Sequence, residues 1–173
     1  MDLKQYIRTI PDFPEPGVQF RDITTLLADA DAFRYAIDRF AERYEAGDVD
    51  AVAGIESRGF IFGTALAYRL ELPFVPIRKE GKLPHATMRQ EYALEYGHGV
   101  VEIHHDALQP DQRVVLIDDL LATGGTLLAS AKLVELLQAS VYECAVLIEL
   151  PALAGRQRLR GYPVYSQISF AGD

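Results

Sequence analysis

Apolar and polar positions fall in blocks along this chain, and the blocks change period from one to the next. Prolines 11, 14 and 16 with Gly17 forbid a long helix and predict an ordered irregular arm. Beyond it, Phe33, Ala36, Ile37, Phe40, Ala41 and Tyr44 recur at helical spacing, with Asp31 placed as N-cap and Gly47 as C-cap. Residues 50–55 are a short apolar run, and 60–70 read as a helix after a Ser-Arg-Gly turn. Residues 74–78 read as a strand. The polar stretch 79–89, with Gly81 and Pro84, reads as a long mobile loop. Strands at 92–96 and 100–103 flank Gly97-His98-Gly99 as a hairpin. A near-continuous apolar strand at 113–118 leads to a helix over 126–138, and 141–149 and 164–169 supply two more strands.

Short apolar strands alternating with helices imply an α/β fold, a mainly parallel central sheet flanked by helices on both faces. Such sheets bind ligands beyond the carboxyl ends of their strands. The loops after Ile55, Arg78 and Asp118 are therefore where chemistry is sought.

Composition narrows the class. With 173 residues, 49% apolar and 24% charged, the chain is an ordinary globular one, read as a single domain over 1–173. Its stretches free of charged residues reach twelve residues, at 120–131 and 161–172, against about 20 for a membrane span. Met1-Asp2-Leu3-Lys4 offers no apolar signal core, so a cytoplasmic location is expected. The lone Cys144 leaves no internal disulfide and no Cys-rich zinc site. A net charge of −8 disfavours nucleic acid as a partner.

The richest segment is 114–126, V-V-L-I-D-D-L-L-A-T-G-G-T. A buried strand runs into Asp118 and Asp119, then into a small-residue loop that opens a helix. Gly124 and Gly125 let the N–H groups of Ala122, Thr123, Gly124, Gly125 and Thr126 turn inward on an anion. The helix N-terminus adds positive potential, and Thr123 and Thr126 add hydroxyl donors. The two carboxylates would repel a phosphate at close range but suit ribose hydroxyls beside it. The layout fits a ligand with phosphate at one end and a diol next to it. Neither a G-x-x-x-x-G-K-[ST] nor a G-x-G-x-x-G loop occurs.

This run resembles the phosphoribosyl pyrophosphate (PRPP) signature of the type I phosphoribosyltransferases. Four more motifs narrow the resemblance to the adenine phosphoribosyltransferases of that family. They are F-P-E-P-G at 13–17 with F-R-D-I at 20–23, G-I-E-S-R-G-F at 54–60, I-R-K-E-G-K-L-P at 77–84 and L-E-Y-G at 94–97. The resemblance implies a sheet with an N-terminal hood arm and a flexible hairpin loop. It implies purine salvage, in which PRPP and adenine give AMP and pyrophosphate. Arg58 would meet pyrophosphate oxygens with its planar fork, after a Glu56–Ser57 peptide that is often cis in the family. Lys79 and Lys82 would close over pyrophosphate, Lys82 being the catalytic contact, and exclude water from PRPP. Glu95 would take the proton that adenine loses as the new N–C bond forms, with Tyr96 packed over the closed site.

Backbone groups at Gln19 and Arg21, with Phe20 against the ring, would read adenine's amino donor and neighbouring ring acceptor. Gln19 stands where relatives often carry an apolar residue. Magnesium is implied as the cofactor, held by PRPP oxygens and water rather than by a protein metal site. A homodimer is implied as well. Two rivals share these residues: a transferase for another purine base, and a non-catalytic regulator that senses PRPP. F-R-D-I and L-E-Y-G oppose the first; the lack of a basic face opposes the second. His104 and His105, adjacent on a strand, face opposite sides and cannot hold one metal together.

Overall fold

The computed structural model describes residues 1–93 and 97–171. Its elements run β1 (Arg8–Pro11), β2 (Gln19–Asp22), α1 (Thr24–Leu27), α2 (Ala30–Ala41), β3 (Ala51–Ile55), α3 (Arg58–Leu70), β4 (Phe74–Lys79) and β5 (Thr87–Ala93). They continue through β6 (His98–His104), β7 (Arg113–Leu121), α4 (Gly125–Leu136), β8 (Ser140–Glu149), α5 (Gly155–Arg158) and β9 (Val164–Ser169). One seven-stranded sheet has the order β5-β6-β4-β3-β7-β8-β9. Strands β4, β3, β7, β8 and β9 are parallel, and the β5–β6 hairpin joins β4 antiparallel at one edge. The α/β expectation is met.

The period of two along β7 shows why both faces are covered. Val115 and Ile117 join Phe40 of α2 and Phe62 and Leu66 of α3 in one core. Val114 and Leu116 point the other way, among Leu127, Leu133 and Val134 of α4. Each such side chain leaving water contributes about 1.5–3 kcal/mol, so a polar residue on either face would be costly. The carboxyl ends of β3 and β7 meet where the chain changes direction across the sheet, at a crevice of the type that binds ligands.

Several boundaries differ from the sequence expectations. The N-terminal arm is a two-stranded hairpin rather than irregular, with Thr9 opposite Arg21 and Ile10 opposite Phe20. Asp29, not Asp31, caps α2; its side chain accepts from the N–H groups of Asp31 and Ala32. The cap at the other end is Glu42, and Gly47 lies in a separate turn. The long loop expected over 79–89 is shorter, because β4 takes Lys79 and β5 starts at Thr87. The intervening turn is tied down by Gly81 N–H on Glu102 at 3.0 Å and by Arg78 on the Lys82 carbonyl at 3.0 Å. Strand β5 lies at 87–93, where it pairs with β6, and the rest of the span expected at 92–96 lies outside the described residues. Strand β7 runs on to Leu121 because β8 stays paired with it that far. Asp119 therefore sits in the strand with Asp118, not past its end.

Candidate active site

Three strand ends build one cleft of about 300 Å³. From the turn after β3 and the start of α3 come Glu56, Ser57 and Arg58; from β4, Arg78 and Lys79; from β7 and the start of α4, Asp118, Asp119 and Thr126. Close approach of α3 to β7 makes this possible. A Cβ at Gly59 would lie 2.8 Å from the Ile117 carbonyl and 2.9 Å from Asp118 Oδ1. Only glycine lets the first turn of α3, and Arg58 with it, sit on the aspartates. The Glu56–Ser57 peptide before that turn is cis.

Two ion pairs hold the walls. Arg58 Nε stands 3.0 Å from Asp119 Oδ2, and the Arg58 guanidinium also lies 5.5 Å from the centre of the Phe20 ring. Phe20 of the arm thus reaches the site through Arg58, with Phe13 edge-on to it at 5.1 Å. On the other wall Arg78 grips Glu56 with two bonds of 3.1 Å, and the Lys79 N–H donates to the same carboxylate at 3.1 Å. Arg78 above all, with the Lys79 amide, holds the Glu56 carboxyl below its usual range against the opposing effect of burial.

The aspartates are in the reverse condition. Burial, and then the neighbouring Asp119 charge, push the Asp118 carboxyl well above the ordinary range. Burial also raises Asp119, with Arg58 pulling it back. Asp118 Oδ1 accepts the Asp119 N–H at 2.9 Å. Arg58 and nearby N–H groups offset the burial of these carboxylates only in part, and such carboxylates suit a ligand that brings hydroxyl hydrogens.

After β7 the chain turns through Ala122 and Thr123 into α4. Gly124 has φ +81°, a left-handed conformation that favours glycine, and a Cβ there would stand 2.8 Å from the Gly155 carbonyl. No side chain caps α4, so the first-turn N–H groups face a small hollow bounded by residues 118 and 120–127. A helix start without a side-chain cap has the chemistry to receive an anion.

Not every expected residue converges here. Lys79 lines the cleft, whereas Lys82 is exposed on the turn beyond it. Gln19, Phe20 and Arg21 are half-buried on β2, outside the cleft lining. Gln19 and Arg21 are two apart on a strand, so their backbone groups point to the same edge. Arg21 packs its guanidinium 4.1 Å from the centre of the Phe170 ring. Glu95 and Tyr96 lie outside the described residues. Sequence reasoning missed the Glu56–Arg78 pair, Tyr92, which lines the cleft, and Arg158. The last borders a second hollow of about 480 Å³ with Thr123 and Gly125. Four-residue α5 carries no periodicity by which Arg158 could have been placed.

The phosphoribosyl transferase domain family model matches residues 24–168. An adenine phosphoribosyltransferase of Chloroflexus aurantiacus is 59% identical over 169 residues, 98% of each chain. The solved adenine phosphoribosyltransferase of Thermoanaerobacter pseudethanolicus superposes with a TM-score of 0.94 at 53% identity, covering 98% of each chain. That of Saccharomyces cerevisiae, complexed with an imino-altritol bisphosphate and adenine, superposes with a TM-score of 0.92 at 37% identity, covering 96% of each. The chain belongs to the phosphoribosyl transferase domain family, and within it to the adenine phosphoribosyltransferases.

Proposed function

We propose that the cleft carries out the transfer of the 5-phosphoribosyl group from PRPP to adenine, releasing AMP and pyrophosphate. The observation that carries the assignment of roles is the convergence of residues 56–58, 78–79, Asp118, Asp119 and Thr126 on one cleft, with the hollow of residues 120–127 sharing Asp118 and Thr126 with it. The 5′-phosphate sits on the N–H groups of 122–126 and the hydroxyls of Thr123 and Thr126. Asp118 and Asp119 accept the ribose hydroxyls, which places C1′ toward Arg58. An adenine ring nitrogen attacks C1′ as the C1′–O bond to pyrophosphate breaks. The nitrogen's proton passes to Glu95, and the bond's electron pair leaves with pyrophosphate. Arg58, Lys79 and Lys82 stabilise the negative charge that builds there. Phe20 covers the base while the Gln19 and Arg21 backbone reads its edge.

Magnesium fits as a cation carried on the ligand. Glu56 is taken by Arg78 and Asp119 by Arg58, which leaves no protein cage at the cleft among the described residues. PRPP oxygens and water would hold the ion, with Asp118 within reach of its hydration shell. When bound it offsets pyrophosphate charge. A homodimer is supported by apolar exposure on α3, where Tyr68 is 88% and Ile61 37% exposed on one helix face. A cytoplasmic setting is supported by acidity and by a single buried cysteine, Cys144, whose thiol burial pushes up to about 12.

Offering adenine, hypoxanthine, guanine and xanthine in parallel, with PRPP and magnesium, tests the reading. AMP from adenine alone is expected. Turnover with another base would overturn the roles of residues 19–21, and PRPP binding without turnover would revive the regulator. Glu95→Gln should slow turnover far more than it weakens PRPP binding; equal activity removes Glu95 from the mechanism.

A further inference from the structure

His85 has no part in the cleft, yet it does not stand alone. It closes the turn after β4, and across from it the chain leaves β6 through His105 and Asp106. One donor atom from each of the three lies within 4.8 Å of the others, and all three side chains are exposed. The His85 and His105 ring centres are 5.2 Å apart. Adjacent positions on a strand gave His104 and His105 no shared ligand, whereas the fold brings His85, twenty residues earlier in the chain, beside His105.

We propose that His85, His105 and Asp106 form a binding site for a borderline divalent transition metal, of which zinc is the type. Two imidazoles and a carboxylate are a zinc donor set, with water completing a tetrahedron. Donors around zinc stand about 3.3 Å apart, given metal–ligand distances of about 2.0–2.1 Å. Exposed side chains close the remaining gap by rotamer adjustment. Two features prepare the site. His105 Nδ1 lies 3.3 Å from the Ala86 carbonyl and the His105 N–H donates to the same oxygen at 3.1 Å. A backbone carbonyl on one ring nitrogen fixes the ring and leaves Nε2 as the ligand atom, the usual outer-shell arrangement of metal-binding histidines. The His104 ring also packs beside His85, with ring centres 6.1 Å apart. A bound ion would pin the turn at 80–86 to the end of β6.

The test is titration of the EDTA-treated full chain with Zn²⁺, and with Co²⁺ as a spectroscopic probe, followed by calorimetry and thermal melting. One ion per chain, tetrahedral Co²⁺ bands and a melting temperature that rises with Zn²⁺ are expected. His85→Ala and His105→Ala should each weaken binding at least about tenfold, and Asp106→Asn should weaken it less. His98→Ala, at the exposed start of β6, should leave it unchanged. The proposal is overturned if His85→Ala and His105→Ala together still bind as wild type does, if His98→Ala weakens binding equally, or if the ion binds only by bridging two copies. Each replaced side chain is exposed, so loss of fold does not confuse the result, and melting without metal verifies it.

Discussion

Asp118 and Asp119 on β7 and Glu149 on β8 stand near the carboxyl ends of neighbouring strands, yet the protein treats them oppositely. Glu149 is complete. Arg156 gives it two bonds of 2.6 and 2.8 Å and Ser166 a third of 2.7 Å, and Arg156 chiefly holds its carboxyl below the usual range. The β7 pair has one cation, Arg58, between two acids, and burial drives both carboxyls up. Both arrangements take carboxylates out of water. Only one supplies the donors that make this cheap. The contrast separates a carboxylate finished by the fold from a pair whose burial the fold offsets only in part.

Replacement experiments sharpen that contrast, and the largest effect belongs to the pair. Asp119→Asn should weaken PRPP by about 10- to 100-fold, the loss of a charge-assisted hydrogen bond of about 1.5–3 kcal/mol. Its melting temperature should stay level or rise. Calorimetric titration with PRPP decides it, and an unchanged dissociation constant would sink the ribose-hydroxyl role. Glu149→Gln should do the reverse. It leaves Arg156 without its anion and lowers stability by about 1–3 kcal/mol, below the full cost of breaking a buried pair because Arg156 is 47% exposed. PRPP affinity should hold. A Glu149→Gln protein that melts normally but loses PRPP would erase the distinction.

The same pair shows what a sequence can carry. Asp118, Asp119 and the loop to Thr126 were legible because one strand, one turn and one helix start are contiguous, and the chemistry is local. The Glu56–Arg78 clamp was not, since those residues are 22 apart and meet only through the parallel pairing of β3 and β4. Likewise β5 was missed over 87–91 because an edge strand paired on one side shows no apolar run; its residues are half-buried or exposed throughout. The cap of α2 slipped by two positions because Asp29 and Asp31 offer the same chemistry. Only the backbone decides, and it is extended at Asp29.

A smaller effect comes from pH. Asp118 binds its proton more tightly folded than unfolded, so its contribution to stability is present below the ordinary value of 3.8 and is lost as pH rises through the raised folded one. Asp118→Asn removes that loss. The stability gap between variant and wild type should therefore open in the variant's favour as pH rises through this window. PRPP affinity should show the opposite trend, with wild type's advantage over Asp118→Asn fading as the pH drops and Asp118 protonates. Paired melting and binding curves over pH check both signs. Parallel curves for the two proteins would mean that Asp118 does not titrate in this window.

Smallest is the effect at the arm, where Asp22 resembles Glu149 more than the β7 pair. Its carboxyl accepts the Thr24 N–H and hydroxyl and two bonds from Arg8. The Thr24 amide first, and then Arg8, lower it to about 2. Its stabilisation is present above the ordinary value of 3.8 and is lost as pH falls toward 2. Since Arg8 is 58% exposed, solvent screening limits the contribution to about 1–2 kcal/mol. Asp22→Asn should therefore lower the melting temperature slightly at pH 7 and not at all near pH 2. If β2 also presents adenine, the variant should raise the KM for adenine and leave that for PRPP unchanged, because Arg58 and the β7 pair are untouched. A rise in both would mean that Phe20, through its contact with Arg58, couples the arm to the phosphoribosyl side.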